Sequence, residues 1–490
     1  MSQKKVVIIG AGFGGLSAAA LLAHKGFDVL VLEKNDQSGG RASVYREKGF
    51  TFDMGPSWYL MPDVFEKFFA EFGKKPTDFF KLQRLDPAYR IFHGKNDFVD
   101  LSADLEKNMA VFEALEPGAA AALTRYLAQS KYQYDVSMKD FLYKEYTSLM
   151  DFFNRRMIVE GRKLHVFESL DAYTRRYFKS DKLRKILEYS MVFLGGAPKN
   201  TPAIYSLMSH IDFNLGVWYP TGGIGAVVRG LEDLARSYGA RFEFNSPVEK
   251  IVVSDTQAKG VVVNGKVIEA DIVISGADYH HTESTLLAKG DQTYSKRYWE
   301  RRTLAPSAFM LYLGYDRKIA GLEHHTLFFD NDWVRHFDAI FEHPEWPEHP
   351  SYYVSCASKT DPTIVPPGGE ALVILVPVAA GLEDTDETRE KYTEKVLVHL
   401  ESLLGQNLHD AVVQKIFSQR DFAGMFNAYK GTALGLSHTL MQTAVFRPRH
   451  QSKKVTNLYY TGQYTHPGIG MPMCLIASGL VAEAIEKKYG

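Results

Sequence analysis

An unbroken apolar, β-branched run, Val6-Val7-Ile8-Ile9, stops at Gly10, the pattern of a short strand buried on both faces. Leu16–His24 has helical composition and ends at Gly26, and Val29–Glu33 is a second apolar run that closes on an acid. Strand, helix and strand in that order open a βαβ unit. From Met61 to about Ser190 the pattern is mixed and largely helical, dense in aromatic and charged residues. Near Tyr219 the α/β alternation returns, with a helix over Ala226–Tyr238 and strands at Arg241–Phe244, Val248–Val253, Gly260–Val263 and Ile272–Ser275. Between Ser307 and Pro377 the alternation predicts sheet, clearest at Phe309–Gly314 and Ala371–Pro377. Lys391–Leu404 reads as an amphipathic helix, Leu458–Thr461 as a last short strand and Met473–Lys487 as a last helix.

The α/β stretches lie at the start, middle and end of the chain. They predict one Rossmann-like nucleotide-binding domain in three segments, 1–95, 215–285 and 430–490, with an inserted α+β substrate domain from 96–214 and 286–429.

Composition narrows the field. At 490 residues, 45% apolar and 23% charged, the chain is ordinary globular material. Its net charge of −1 gives no footprint for nucleic acid, which needs clustered cations to neutralise phosphates. Two distant cysteines, Cys356 and Cys474, exclude a disulfide framework and a CxxC zinc site and fit a reducing compartment. No stretch reaches the roughly 18 uninterrupted apolar residues of a membrane-spanning helix; Ala371–Leu382 is broken by Pro377. Val6–Ile9 is too short for a signal-peptide core, so a cytoplasmic location is expected.

The chemistry begins at Gly10-Ala11-Gly12-Phe13-Gly14-Gly15, a GxGxxG between a strand and a helix. Gly10 makes the turn, Gly12 lets a pyrophosphate approach the backbone, and Gly15 lets helix and strand pack closely. The phosphates then sit at a helix N-terminus, where free N–H groups and the dipole favour an anion. Glu33 follows at the spacing of the carboxylate that accepts from ribose hydroxyls, and an acid there disfavours a 2′-phosphate. FAD and NAD share this fingerprint. Ser38-Gly39-Gly40-Arg41 and the turn Gly55-Pro56-Ser57 are placed to follow a longer cofactor, but are weak signals alone.

Those residues meet a family. Over nearly its full length the chain resembles the bacterial-type phytoene desaturases of the carotenoid desaturase flavoprotein family. The resemblance rests on Val6–Lys34, Gly39–Arg41, Phe52–Pro62, Gly216–Gly230 with Trp218-Tyr219-Pro220-Thr221-Gly222-Gly223, Ala270–Leu287 with Ala277-Asp278, His324-His325-Thr326, Asn427-Ala428-Tyr429-Lys430-Gly431, Phe446-Arg447-Pro448 and Asn457–Pro472. The last holds Thr465-His466-Pro467-Gly468-Ile469-Gly470-Met471-Pro472. The resemblance implies an amine-oxidase and GDI-like architecture and one non-covalent FAD. It implies that Gly10, Gly12, Gly14, Gly15 and Glu33 hold the ADP half, with Gly40 and Arg41 alongside. By the same resemblance Val248 meets adenine, while Gly462, Gln463, Gly470, Met471 and Met473 lie under the ribityl chain and the ring. Many related flavoproteins carry an acid where this chain has Gln463, which keeps a hydrogen-bond donor but no charge.

The implied reaction passes a hydride from an allylic carbon of an acyclic carotenoid or related isoprenoid to flavin N5. A proton is then lost, and oxygen or a quinone takes the electrons. Such chemistry needs a long apolar tunnel and no strong nucleophile. No proton acceptor is legible; Arg155, Arg156 and His466 are weak candidates, and His210 is another. The histidines lack metal-site spacing, and no metal is expected. Between Phe152 and Lys185 ten basic residues face four acids, a net +6 with interleaved aromatics. This suits either an anionic membrane surface, giving peripheral attachment, or a solvated helix face. Another flavoenzyme, such as an amine or porphyrinogen oxidase or a retinoid saturase, and a flavin-free lipid carrier on the same fold remain alternatives.

Overall fold

The computed structural model describes residues 3–145 and 163–490. Five parallel strands form one sheet in the order Leu458–Tyr460, Ile272–Ser275, Lys5–Ile9, Asp28–Leu32 and Arg241–Glu243. Its strands come from the start, middle and end of the chain, because parallel neighbours must be joined by crossovers. Successive side chains of a strand face opposite ways. Val6 and Ile8 therefore enter the core under the helices, and Val7 and Ile9 the core on the other face. The helices are Phe13–His24, Ile224–Ser237 and Met471–Tyr489, with the first packed against both others. A three-stranded antiparallel sheet, Val248–Ser254, Gln257–Val263 and Lys266–Glu269, shares the second core through Ile251, Val261 and Val263.

A second, seven-stranded sheet runs Val413–Phe417, Ser307–Tyr315, Glu370–Val378, Tyr352–Ser355, His325–Phe328, Tyr89–Gly94 and Asp97–Leu101. Its neighbours are antiparallel except at the His325–Phe328 and Tyr89–Gly94 pair. One face, with Phe309, Leu311, Ile374 and Val376, packs on Tyr392, Val396 and Leu400 of the Asp386–Leu404 helix. The alternate positions, including Met310, Leu375 and Pro377, face a cavity.

Three sequence expectations need correction. A boundary at residue 95 cuts the hairpin of Tyr89–Gly94 and Asp97–Leu101, and both strands belong to the seven-stranded sheet. Nothing in a hairpin's own pattern says which sheet it joins. The stretch from Met61 to Ser190, read as largely helical, holds these strands and Leu82–Arg84 as well. The helix expected at Lys391 begins at Asp386, capped by Thr385, whose hydroxyl accepts from the Thr388 amide. Its first turn is polar, so periodicity alone could not reveal it.

Candidate active site

Two glycine loops meet at the C-terminal edge of the parallel sheet. The Gly39 amide donates to the Ala11 carbonyl (2.8 Å), and Gly12 and Gly39 form a parallel bridge. Gly39 and Gly40 have φ of 115° and 56°, backbone that favours glycine. The three fingerprint glycines differ in what surrounds them. A Cβ on Gly15 would lie 2.0 Å from the Gly10 carbonyl oxygen, so this glycine serves the close crossing of helix and strand. A Cβ on Gly14 would lie 3.1 Å from the Gly462 amide nitrogen. Around Gly12 the nearest atoms stand 4.0 Å away, on Gly39 and Gly40, which leaves an open cradle. The Phe13–His24 helix starts at Gly12 with no side-chain cap and no acid in its first turn. Its first amides are available to an anion.

Glu33 follows the Asp28–Leu32 strand and is 5% exposed. One carboxylate oxygen accepts from the Ala11 amide (2.7 Å), the other from the Asn35 amide and side chain (both 2.9 Å). These bonds fix the carboxylate at the cavity wall, with lone pairs left for ribose hydroxyls. Arg41 lies 3.7 Å from Asp278, and its guanidinium stands 5.7 Å over the Phe426 ring. Its Nε and Nη2 are buried without hydrogen-bond partners, as is Gln463 Nε2. Buried donors left unpaired are costly. Here they line one wall together with a free helix N-terminus, which fits the diphosphate and ribityl hydroxyls of a flavin dinucleotide.

One cavity of about 530 Å³ joins this cradle to an apolar arm. Of the residues expected at the cofactor, Gly10, Gly12, Gly14, Glu33, Gly40, Arg41, Gly55, Pro56, Ser57, Val248, Gly462, Gln463, Gly470, Met471 and Met473 all line it. Gly15 lies behind the wall, in the role its Cβ clash defines. The apolar arm is walled by Met310, Leu327, Leu375, Phe329, Trp333 and Ile340. No local motif marks these positions; they converge from three strands, the residue that follows one of them and a helix. Cys474 is at the wall, and burial pushes its thiol up to about 12, so it stays protonated.

The weak catalytic candidates fare differently. Arg155 and Arg156 lie outside the described residues. His466 is not part of the cavity wall; its Nε2 faces the Phe141 and Leu142 carbonyls (both 3.2 Å), and burial lowers its pKa to about 4. A ring donating to carbonyls is poorly set to take a proton from substrate. His210, also off the wall, pairs with Asn214 (3.0 Å).

Sequence reasoning missed Arg447, a buried guanidinium that donates to the carbonyls of Gln442 (3.0 Å), Leu436 (3.1 Å) and Gln463 (2.9 Å). It straps the loop that carries Gly462 and Gln463. Phe446-Arg447-Pro448 was legible as a family-like segment, but not its role.

Several cations of the basic run up to Lys185 are paired; the partners Glu168, Asp171 and Asp181 already count in its tally, and Asp97 alone lowers it, by one. Arg175 pairs with Asp171 (2.8 Å), Lys182 with Asp97 (2.6 Å), and Arg184 and Lys185 with Asp181 (3.0 and 3.2 Å). Arg176 pairs with Glu168. Asp97 lies far outside the run in sequence, so a local count cannot include it. Among the described residues no helix is long and apolar enough to cross a membrane.

Comparison with known proteins agrees with this geometry. Residues 13–486 match the family model of the flavin containing amine oxidoreductases. The chain is 47% identical over 487 residues to the carotenoid 3,4-desaturase of Haloarcula japonica, covering 99% of this chain and 98% of that protein. It is 36% identical over 487 residues to the zeta-carotene-forming phytoene desaturase of Myxococcus xanthus, covering 98% and 94%. Among solved structures, an oxidoreductase from Methanosarcina mazei has the same fold, with a TM-score of 0.65 at 16% identity over 98% of this chain and 100% of that one.

Proposed function

The chain belongs to the flavin containing amine oxidoreductase family, and from that premise we propose that it is an FAD-dependent desaturase that introduces double bonds into an acyclic carotenoid or related isoprenoid. The observation that carries this reading is the single cavity in which a dinucleotide cradle opens into an apolar arm.

Bound FAD supplies a two-electron acceptor for hydride. The protein's own part is to bind, orient and keep the site dry. Gly12 and the first amides of the Phe13–His24 helix receive the diphosphate, Glu33 the ribose hydroxyls, and Arg41 and Gln463 the remaining acceptors. In the apolar arm a carbon that loses hydride becomes cationic, and two features protect it. The named walls of the arm are apolar, and, among the described residues, burial raises the thiol of Cys474 to about 12 and the phenol of Tyr353 further, so both remain protonated at neutral pH. A water-insoluble substrate further favours loading from a lipid surface, with oxygen or a quinone as terminal acceptor. Phe167, 87% exposed, and the exposed Leu440 and Met441 are apolar groups suited to such contact.

Expression in hosts that accumulate C30 or C40 acyclic carotenes, with pigments resolved by chromatography, tests the activity. New, more conjugated products are expected; an unchanged profile across both precursor lengths overturns it. For the membrane, co-sedimentation with anionic liposomes is expected to survive neutralising both ion pairs together, Arg175→Gln with Asp171→Asn and Arg176→Gln with Glu168→Gln, because each pair is neutral as a unit. It should fall when Phe167, Leu440 and Met441 become serine.

A further inference from the structure

The reaction leaves one proton unaccounted for, and none of the residues named so far takes it. Tyr189 forms part of the cavity wall beside Trp58. Its hydroxyl donates to Asp212 Oδ2 (3.2 Å), and the Tyr89 hydroxyl donates to the same oxygen (2.7 Å). Asp212 sits in a π-helical turn, Ile211–Leu215, behind the wall, and keeps partial solvent exposure. π-Turns of this kind recur at functional sites. Asp212 makes no ion pair among the described residues. A carboxylate set among tyrosines without a cation is expensive to keep charged. It becomes useful where a positive charge develops and a proton must leave.

We propose that Tyr189 and Asp212 form the proton-accepting relay of the desaturation. The inference rests on the desaturase reading. Hydride departs with its electron pair to the flavin oxidant, which leaves a cationic carbon. The C–H bond on the neighbouring carbon then breaks, and its electron pair becomes the new π bond. The proton bonds to Tyr189 Oη as the Tyr189 O–H bond breaks toward Asp212. Asp212 returns the proton to solvent, so carbon loses two hydrogens and the flavin gains two electrons.

The chemistry of the carboxyl agrees: burial pushes its pKa up to about 7 while the two phenols hold it down. Among the described residues the groups that face it are Tyr89 and Tyr189, with Tyr353 and His325 one layer further. The competing path runs from Ser57 through the Tyr353 hydroxyl (2.8 Å) to His325 Nδ1 (2.6 Å). It ends on an imidazole that burial holds well below its ordinary pKa, a poor proton store.

The test uses purified holoenzyme and the acyclic carotene that the wild type converts. Asp212→Asn keeps the shape and is expected to slow product formation by about 10²–10³-fold, the usual share of a general base. Flavin content and carotene affinity should stay at wild-type levels, and thermal stability at pH 8 should be equal or higher. Tyr189→Phe should cost at least about tenfold. The wild-type rate should rise through a limb near pH 7, and Tyr89→Phe, which removes one donor to the charged carboxyl, should move that limb upward. Independently of turnover, infrared titration in a Glu188→Gln background, which removes the other carboxyl raised to about 7, should show a carboxylic-acid band that disappears near pH 7 and is missing once Asp212→Asn is added. Asp212→Asn within threefold of wild type overturns the relay, as does an activity loss that tracks lost flavin or carotene binding. If Asp212→Asn fails to fold, an unmoved limb in Tyr89→Phe overturns it. A wild type that desaturates nothing overturns the desaturase reading instead, and the infrared titration remains readable.

Discussion

Substituting valine for Gly12 separates a cofactor cradle from a structural crossing. A Cβ at Gly12 meets nothing closer than 4.0 Å, so the apo-protein should accept the side chain, yet the added methyl groups enter the space between the two glycine loops. Flavin binding should therefore fail while the fold survives. A ligand adds RT ln(1 + [L]/Kd) to stability, about 2.7 kcal/mol when free FAD stands at a hundred times its Kd. With unfolding entropy near 2.1 cal/mol/K per residue and 490 residues, that corresponds to roughly 3 °C in Tm if the chain melts as one unit. Gly15→Ala is the contrast. Its Cβ would lie 2.0 Å from the Gly10 carbonyl oxygen, and backbone on both sides must move. This strain is independent of flavin and should cost about 3 kcal/mol or more in the apo-protein itself. The assay is the flavin-to-protein absorbance ratio, combined with melting curves of apo- and FAD-loaded protein. Gly12→Val should be colourless with a wild-type apo Tm, and added FAD should not raise it. Full flavin occupancy in Gly12→Val would refute the cradle. An apo Tm depressed as far as that of Gly15→Ala would refute the distinction between the two glycines.

Arg447→Ala leaves three buried carbonyls without their donor, at about 1–3 kcal/mol each; it should lower Tm sharply and weaken flavin retention, read by melting and by release of free flavin. Burial raises Asp53 to about 6 and Glu188 to about 7, from 3.8 and 4.5, so between about pH 4 and 7 the folded state binds more protons than the unfolded chain. Their contribution is full below the unfolded values and is lost as pH rises through 6 to 7. Glu188→Gln should accordingly gain on the order of 3 kcal/mol at pH 8 and almost nothing at pH 4, measured by denaturant unfolding at both. Ile340→Trp narrows the apolar arm from its helical wall; flavin content should stay at the wild-type level while kcat/KM for a long acyclic carotene falls about tenfold, and equal turnover would place the substrate elsewhere.

The sequence by itself determined the dinucleotide-binding half of this protein. Val6–Ile9, the Gly10–Gly15 turn and Glu33 lie within thirty positions, and backbone geometry imposes their spacing: a turn, a helix dipole, and a strand that returns beside the first. Local rules suffice where neighbours in space are neighbours in sequence. The long-range matches at Trp218–Gly223 and Thr465–Pro472 extended that reading to the flavin family; Gly470, Met471 and Pro472 line the cavity, whereas Trp218–Gly223 stands off its wall. Tertiary structure alone decided the rest. The hairpin of Tyr89–Gly94 and Asp97–Leu101 has no pattern that assigns it to the second sheet; its edge found a partner in His325–Phe328 across more than two hundred positions. Asp97 neutralises Lys182, and the Gln463 loop hangs on Arg447, through contacts that no periodicity records. The apolar arm is the inward face of alternating strands whose outward face is equally apolar, because the sheet is buried on both sides. In such a sheet every position reads as core, and only the packing of the Asp386–Leu404 helix on one face leaves the other to enclose a cavity.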